Sequence, residues 1–388
     1  MFDIAIVGYG PVGMTAAALL GQRGHRVVVL ERYPGLYNLP RAALFDGETM
    51  RTWAALGVAE ALLPKLRPAH HIEYGNGAGQ TLLELELGTG AAGWAPYYSM
   101  YQPDLEDALD GLCRALPNVD VRLSSPVVGL SEQDDHVVLR VGPTEIPARY
   151  VVACDGGNSY VREHLGIDQD DYGFREPLLV CDFRLLAESD LPTLRQICDP
   201  RLPTALVALG HEHRRCAFQL LSEADFEPES RTDAVWRKAE RHLRRDQAEL
   251  IRVATYTLRS LIARSWRHGR VLLAGDAAHQ MPPFLAQGMC SGVRDVQNLA
   301  FKLDLVLRGR CNAALLDTYQ QEREPHVRWV VEKAIEIGRM YTLRDPVAVA
   351  ERDRRMLAQR EAGISPPPLR LPGLTCGVLA LRDCPGRG

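Results

Sequence analysis

The first apolar run, Ile4-Ala5-Ile6-Val7, reads as a short strand that breaks at Gly8-Tyr9-Gly10-Pro11-Val12-Gly13. Residues 14–20 follow, small and apolar enough to pack as a helix against a sheet, and a second strand over 26–30 ends at Glu31. Strand, glycine turn, helix and strand predict a nucleotide-type α/β unit over about 1–70. Apolar and polar positions then alternate over 81–87, within a stretch that carries Gly75, Gly77, Gly79, Gly88, Gly90 and Gly93. This reads as a β excursion at about 71–100. A helix starts within 99–106, with Leu105, Ala108, Leu109 and Leu112 at helical spacing, and strands at 119–123, 137–141 and 150–153 return to the nucleotide sheet. From about 173 to 259 the pattern is strand-rich, with main runs at 178–185, 204–209 and 215–221 and a charged helix over 232–245. A buried strand over 270–274 and long helices over about 291–307 and 315–341 follow, before a Pro/Gly-rich tail from 365 that wraps or frays. The expected division is 1–172, 173–260, 261–345 and 346–388.

Composition narrows the class without choosing a function. With 388 residues, 46% hydrophobic and 24% charged, the chain has ample core for two domains or one large one. A net charge of −4 and a pI near 6.3 give no electrostatic reason to expect nucleic acid or an anionic membrane as partner. The first strand begins almost at Met1 and no apolar run approaches spanning length, so a cytoplasmic location is expected. Nine cysteines without a C-x-x-C pair argue for buried thiols, with no metal site and no disulfide framework.

In the first turn, Gly8 permits tight bending, Gly10 lets main chain approach a pyrophosphate, and Gly13 lets helix and strand pack closely. The helix start offers free N–H groups to phosphate. Glu31 stands where an acidic side chain accepts hydrogen bonds from an adenosine ribose. Alone, this fingerprint also suits a structural turn or another nucleotide.

Longer stretches carry a resemblance. Gly8 to Gly13, Pro40-Arg41-Ala42, Gln102-Pro103, Cys154-Asp155-Gly156-Gly157-Asn158-Ser159-Tyr160-Val161-Arg162 and the block 270–324 together resemble class A flavoprotein monooxygenases. Gly275-Asp276-Ala277-Ala278-His279, Gln287-Gly288, Ser291-Gly292-Val293-Arg294-Asp295 and Leu315-Leu316-Asp317-Thr318-Tyr319 make the chain most similar to 3-(3-hydroxyphenyl)propionate hydroxylases within that group. The resemblance implies an α/β fold: a Rossmann-like FAD-binding domain of the p-hydroxybenzoate hydroxylase type, an inserted β-sheet substrate domain and C-terminal helices. It implies FAD as cofactor, NADH or NADPH as co-substrate, and a monomer or homodimer. The implied reaction is hydroxylation of a small aromatic substrate by O2 through a C4a-hydroperoxyflavin, the substrate being a 3-(3-hydroxyphenyl)propionate-like phenol or a secondary-metabolite phenol or polyketide. An epoxidase or other oxidative tailoring enzyme, and a non-catalytic flavin-binding protein, stand as alternatives.

By the same resemblance Gly8, Gly10, Pro11, Val12, Gly13, Glu31 and Arg32 hold the nucleotide, while Arg41 and Gln102 touch it or the ribityl chain. Asp155 and Gly156 serve FAD and NAD(P)H, Gly275 and Asp276 meet the ribityl chain, and Gly288 and Met289 aim helix amides at the flavin N1–C2=O edge. His211 and Pro283 are the catalytic candidates. Each position also has a plainer reading: Asp276 as a helix cap, Asp155 as a strand-to-helix turn, Arg41 as a surface residue, His279 as a structural hydrogen bonder. Arg162 is either a solvated helix residue or a partner of pyridine-nucleotide phosphates. His211-Glu212-His213 places two imidazoles on one strand face without a third ligand, which speaks against a metal. Tyr97-Tyr98 reads as core in preference to pocket.

The chain departs from the pattern twice. Ala286 stands in Pro282-Pro283-Phe284-Leu285-Ala286-Gln287-Gly288 where relatives carry glycine, and at positive φ its methyl group costs about 1 kcal/mol; a tolerated methyl is the simpler reading. The 3-(3-hydroxyphenyl)propionate hydroxylases continue into a C-terminal thioredoxin-like domain, and this sequence lacks it.

Overall fold

The computed structural model describes residues 1–388 except 88, 89, 91, 92, 188–191, 368, 374, 375 and 378–388, so Gly88 and most of the Pro/Gly-rich tail lie outside the described residues. Distant stretches of chain build one sheet, in the order Arg267–His268, Val271–Leu273, Thr144–Ala153, Phe2–Val7, Val27–Leu30, Val119–Arg122. From Val271–Leu273 to Val119–Arg122 every pairing is parallel. The antiparallel strands Val127–Glu132 and Val137–Val141 branch from Thr144–Ala153. Ile4, Ala5, Ile6 and Val27 to Val29 are fully buried because helices cover the sheet, which is why these strands are continuous apolar runs. The helix Pro11–Gly21 lies against both Gln102–Ala115 and Gly288–Leu307.

The second sheet has seven strands in the order Ala248–Leu258, Glu176–Leu185, His213–Gln219, Thr204–Leu209, Leu194–Cys198, His71–Asn76, Thr81–Glu86. Side chains alternate across it. Leu179, Cys181, Phe183, Cys216 and Phe218 pack on Val235 and Trp236 of the helix Thr232–Ala239. Leu178, Val180 and Ala217 face the other way, into a cavity. The expected β excursion is the hairpin at the edge of this sheet: His71–Asn76 pairs in parallel with Leu194–Cys198. Leu194–Cys198 and Ala248–Leu258 escape a reading of the pattern, the latter because Glu249, Arg252, Thr255 and Thr257 interrupt its apolar positions on an edge strand.

The charged helix predicted over 232–245 ends at Ala239. The long helices are Gly288–Leu307 and Thr318–Tyr341, followed by Pro346–Glu361. No helix among the described residues is long and apolar enough to cross a membrane. Of the described cysteines, Cys113, Cys181, Cys198, Cys216 and Cys290 are buried.

Candidate active site

The three glycine segments meet at the carboxyl ends of the parallel strands. Gly8 has φ +98°, and a Cβ there would lie 2.4 Å from the Cys154 carbonyl oxygen; one at Gly13 would lie 2.1 Å from that of Gly8. Backbone-to-backbone packing therefore demands both residues. A Cβ at Gly292, in the long helix, would lie 2.6 Å from Val12 Cγ2 and 3.0 Å from Gly275 Cα, which closes the contact between the first and third segments. Gly10 has open space where a Cβ would be, and the helix behind it has no side-chain cap, so its first amides lack an internal acceptor.

A cavity of about 1630 Å³ opens on these segments. Gly10, Pro11, Val12, Arg41, Gln102, Gly156, Asp276, Gly288, Met289 and Pro283 line it, whereas Gly8, Gly13, Glu31, Arg32, Asp155, Gly275 and His211 are not among the lining residues. Glu31 accepts from the amides of Tyr9 at 2.7 Å and Tyr33 at 3.0 Å, and Arg32 lies over the Tyr33 ring. Asp155 accepts from Ser159 Oγ at 2.6 Å and from the Val161 amide at 3.1 Å, the bonds of a strand-to-helix turn. Arg162 is not a solvated helix residue: buried, it donates to the carbonyls of Ala277 at 3.1 Å and Gly157 at 2.9 Å, tying two glycine segments together.

The strand placement of His211 requires a correction. Gly210, at φ +63°, bends the chain between Thr204–Leu209 and His213–Gln219, so His211 sits in the turn and not on a strand. Its Nε2 faces the Leu66 carbonyl at 3.1 Å, away from the cavity lining. His213 stacks on the Tyr101 ring at 4.0 Å. The described residues hold no metal-type cluster of His, Cys, Asp and Glu. His279 has the structural role, with Nε2 at 2.6 Å from Asp295, which also accepts from Arg323 and the Gly275 amide. The Tyr97-Tyr98 pair divides by strand alternation: Tyr98 is buried against Phe45, and Tyr97 lines the cavity.

Gln102 is more than a contact residue. Its Oε1 accepts from the amides of Arg41 at 3.0 Å and Ala42 at 2.6 Å, and its Nε2 donates to Glu106 at 2.6 Å. The same loop is gripped through its carbonyls. Arg215 donates to Pro40 at 2.8 Å and Arg41 at 2.6 Å, and Arg252 donates to Pro40 at 2.8 Å. Both arginines pair with the buried Asp182, at 2.7 Å and 3.1 Å. Sequence reading missed this clamp because its charges are spread over three strands; an arginine run inside 213–219 was the one available signal.

A second missed cluster holds the loop before the long helix. Arg294 pairs with Asp46 at 2.5 Å and Glu48 at 2.8 Å and donates to Gln287 Oε1 at 2.9 Å. Gln287 Nε2 in turn donates to Asp46 at 3.0 Å and Tyr97 Oη at 3.1 Å. Burial works against both charges, yet their attraction outweighs it, holding the Asp46 carboxyl below and the Arg294 guanidinium above their ordinary values. The loop ends at Ala286, which adopts φ +54°, ψ +33°, the left-handed conformation that favours glycine.

Asp276 presents an exposed side chain to the cavity with no hydrogen bond to a described residue, and it sits deep enough that desolvation raises its carboxyl against the pull of His279 and Arg41. An open glycine cradle, uncapped helix amides and an unpartnered acceptor fit a pyrophosphate and a polyhydroxyl chain.

Comparison with known proteins agrees. Residues 1–334 match a family described as an FAD binding domain. The chain is 53% identical over 386 residues to a probable NADH-specific resorcinol 4-hydroxylase of Rhodococcus jostii (strain RHA1), covering 97% of this chain and 73% of that protein. It is 37% identical over 364 residues to a 3-(3-hydroxy-phenyl)propionate/3-hydroxycinnamic acid hydroxylase of Shigella sonnei (strain Ss046), covering 89% of this chain and 65% of that one. Among solved structures, aklavinone-11 hydroxylase with FAD and aklavinone superposes with a TM-score of 0.77 at 27% identity, covering 88% and 69% of the two chains. A p-nitrophenol 4-monooxygenase from Pseudomonas putida DLL-E4 shares the fold, with a TM-score of 0.83 at 24% identity over 94% and 95% of the chains. The chain belongs to the FAD-dependent aromatic hydroxylases, the class A flavoprotein monooxygenases.

Proposed function

We propose that the protein hydroxylates a small phenolic ring of the resorcinol type, with FAD bound and with NADH and O2 consumed. The observation that carries the reading is one continuous cavity with glycine segments at one end, the apolar face of the seven-stranded sheet at the other, and the loop Pro283 to Ala286 between them. The names of the R. jostii and S. sonnei relatives supply the ring class, and the former supplies the nicotinamide.

In this reading the amides behind Gly10 and Pro11 take the pyrophosphate, with Gly8 and Gly13 shaping the turn that presents them. Glu31 keeps spare lone pairs for ribose hydroxyls while its two amide bonds fix it, and Arg32 flanks it. Gly156 and Gly275 give close approach, and Asp155 holds the turn that carries Gly156. Asp276 accepts from the ribityl chain. The uncapped start of the long helix, at Gly288 and Met289, turns amides and a positive dipole end toward the flavin edge where negative charge gathers on reduction. Gln102 and Arg215 position Arg41 by holding its loop from both sides. Bound there, FAD would supply the redox chemistry that links reduced nicotinamide to O2, one oxygen atom ending in the ring and the other in water.

The remaining tasks belong to side chains. The apolar sheet face excludes water and orients the ring. Pro283 contributes no amide donor to the loop beside it. Tyr97 stays protonated, because burial raises its hydroxyl, and it donates to the Leu285 carbonyl at 3.3 Å. The hairpin 71–86 joins 173–260 as the substrate-side unit in this reading, with 1–70 and 101–172, 261–345 on the cofactor side and 346–388 at the end.

The test is anaerobic mixing of FAD-loaded protein with NADH or NADPH, alone and with resorcinol, phenol or 3-(3-hydroxyphenyl)propionate, followed by product analysis under O2. Faster flavin bleaching by NADH with one of these rings, and one added hydroxyl in the product, is the expected result. Slow bleaching with every ring and peroxide as sole oxygen product would overturn it.

A further inference from the structure

On the cavity face of the seven-stranded sheet, Val180, Ala217, Ala205, Gln196, Tyr74 and Leu83 form one cross-strand row, each the register partner of the next. All of them line the cavity. The two alanines make the middle of the row shallow, which leaves room for a flat ring against the sheet. Gln196 and Tyr74 then close the row with polar groups. Tyr341, from the end of the helix Thr318–Tyr341, joins them from outside the sheet: it packs in one cluster with Tyr74, and its ring centroid lies 5.5 Å from that of Phe284 in the loop that ends at Ala286.

These groups are buried and unused by the protein. Gln196 is 8% exposed and its Oε1 has no hydrogen-bond partner among the described residues; Tyr341 is 2% exposed and its Oη has none among them. Buried polar atoms without partners are rare and costly, and the residues that carry these two line the cavity, so that a side-chain rotation presents them to a ligand there. Burial raises the hydroxyls of Tyr74 and Tyr341, so both remain O–H donors. No cationic side chain belongs to the row, while Arg215, at the other end of the sheet face, is already paired with Asp182.

We propose that Gln196, flanked by Tyr74 and Tyr341, binds a second hydroxyl of the aromatic substrate and so selects dihydroxybenzene rings over monophenols; this rests on the hydroxylase reading above. A hydroxyl has one proton to donate and two lone pairs. It gives the proton to Gln196 Oε1 and accepts from the tyrosine hydroxyls, satisfying the set at once. A monophenol leaves the amide oxygen buried and unpaired, and a site built to bond a substrate hydroxyl discriminates strongly against the ring that lacks it. The first hydroxyl, the one that activates the ring, is then free to face the flavin side of the cavity.

The experiment compares wild type, Gln196→Leu and Tyr341→Phe as FAD-loaded proteins with resorcinol and with phenol. Steady-state product formation gives kcat/KM, and titration of the visible flavin spectrum without NADH gives Kd. In Gln196→Leu the resorcinol-to-phenol ratio of kcat/KM is expected to fall about ten- to hundredfold, with the same trend in Kd. Tyr341→Phe, which removes one oxygen atom and preserves the packing, should shift both ratios in the same direction by less, and it carries the test if Gln196→Leu does not fold. Unchanged ratios in a wild type that hydroxylates resorcinol would overturn the subsite alone. No hydroxylated product from either ring with wild type would overturn the hydroxylase reading and the subsite with it.

Discussion

At the cofactor end of the cavity, Gly8, Gly10 and Gly13 come from a single turn, and a Cβ at Gly13 would strike the Gly8 carbonyl at 2.1 Å. At the substrate end the lining is collected one residue at a time: Tyr74, Gln196, Ala205 and Ala217 come from four strands and meet through pairing register. The first end is rigid because backbone lies on backbone, where a methyl group has nowhere to go. The second is a surface of side chains, which accepts substitution at the cost of a changed ligand. One chain thus holds an end with little freedom to vary and an end able to change its preference without refolding.

That contrast can be broken most severely at Gly13. Gly13→Val is expected to abolish flavin binding, read as loss of visible absorbance per chain in the purified protein; retained yellow protein would mean that the backbone contact is not limiting. Next comes the charge clamp on the substrate side. Asp182→Ala leaves Arg215 and Arg252 buried without their counter-charge and should cost about 3–5 kcal/mol in urea unfolding. An effect below that of an ordinary surface change would show that water relieves the arginines. Asp276→Ala should weaken FAD about ten- to hundredfold in a Kd titration, because it removes an acceptor that no described residue uses.

Acid should separate fold stability from either end. Burial, followed by the charges of Arg323 and Arg294, pushes the His326 imidazole down from 6.5 to about 3. The unfolded chain takes its proton first, so the stability held by the neutral ring is complete above pH about 6.5 and drains away as pH falls toward about 3. His326→Leu should flatten the dependence of the unfolding midpoint on pH in that window, and an unaltered slope would place the acid limb elsewhere. The smallest expected effect is Ala286→Gly, which relieves the left-handed alanine at φ +54° and should stabilise by about 1 kcal/mol in thermal unfolding. A loss of stability there would show that the unfolded-state entropy of glycine dominates.

Legibility in the sequence follows the same divide. The glycine turn and the strand ending at Glu31 were readable because their chemistry depends on neighbours in the chain, whereas the pattern alone placed the long helix from about 291 and only the resemblance pointed to its start at Gly288. Tyr97-Tyr98 was read as core when only Tyr98 is, since the face of a three-residue strand depends on what lies on either side. His211 was placed on a strand that Gly210 ends before reaching it. The clamp of Asp182, Arg215 and Arg252 left only the arginine pair inside 213–219 as a local trace, because each charge taken alone resembles a surface residue. The hairpin 71–86 was recognised as β, but nothing near it announces a parallel partner at Leu194–Cys198.

The sequence by itself determined the cofactor class, the reaction family and the backbone turns that hold a nucleotide, because close approach to a phosphate selects glycine at fixed spacing within a few residues. Only the tertiary structure decided which polar groups face the ring. Cross-strand register brings Gln196 beside Tyr74, and helix packing brings Tyr341 to meet them, and neither distance is written in the order of the chain.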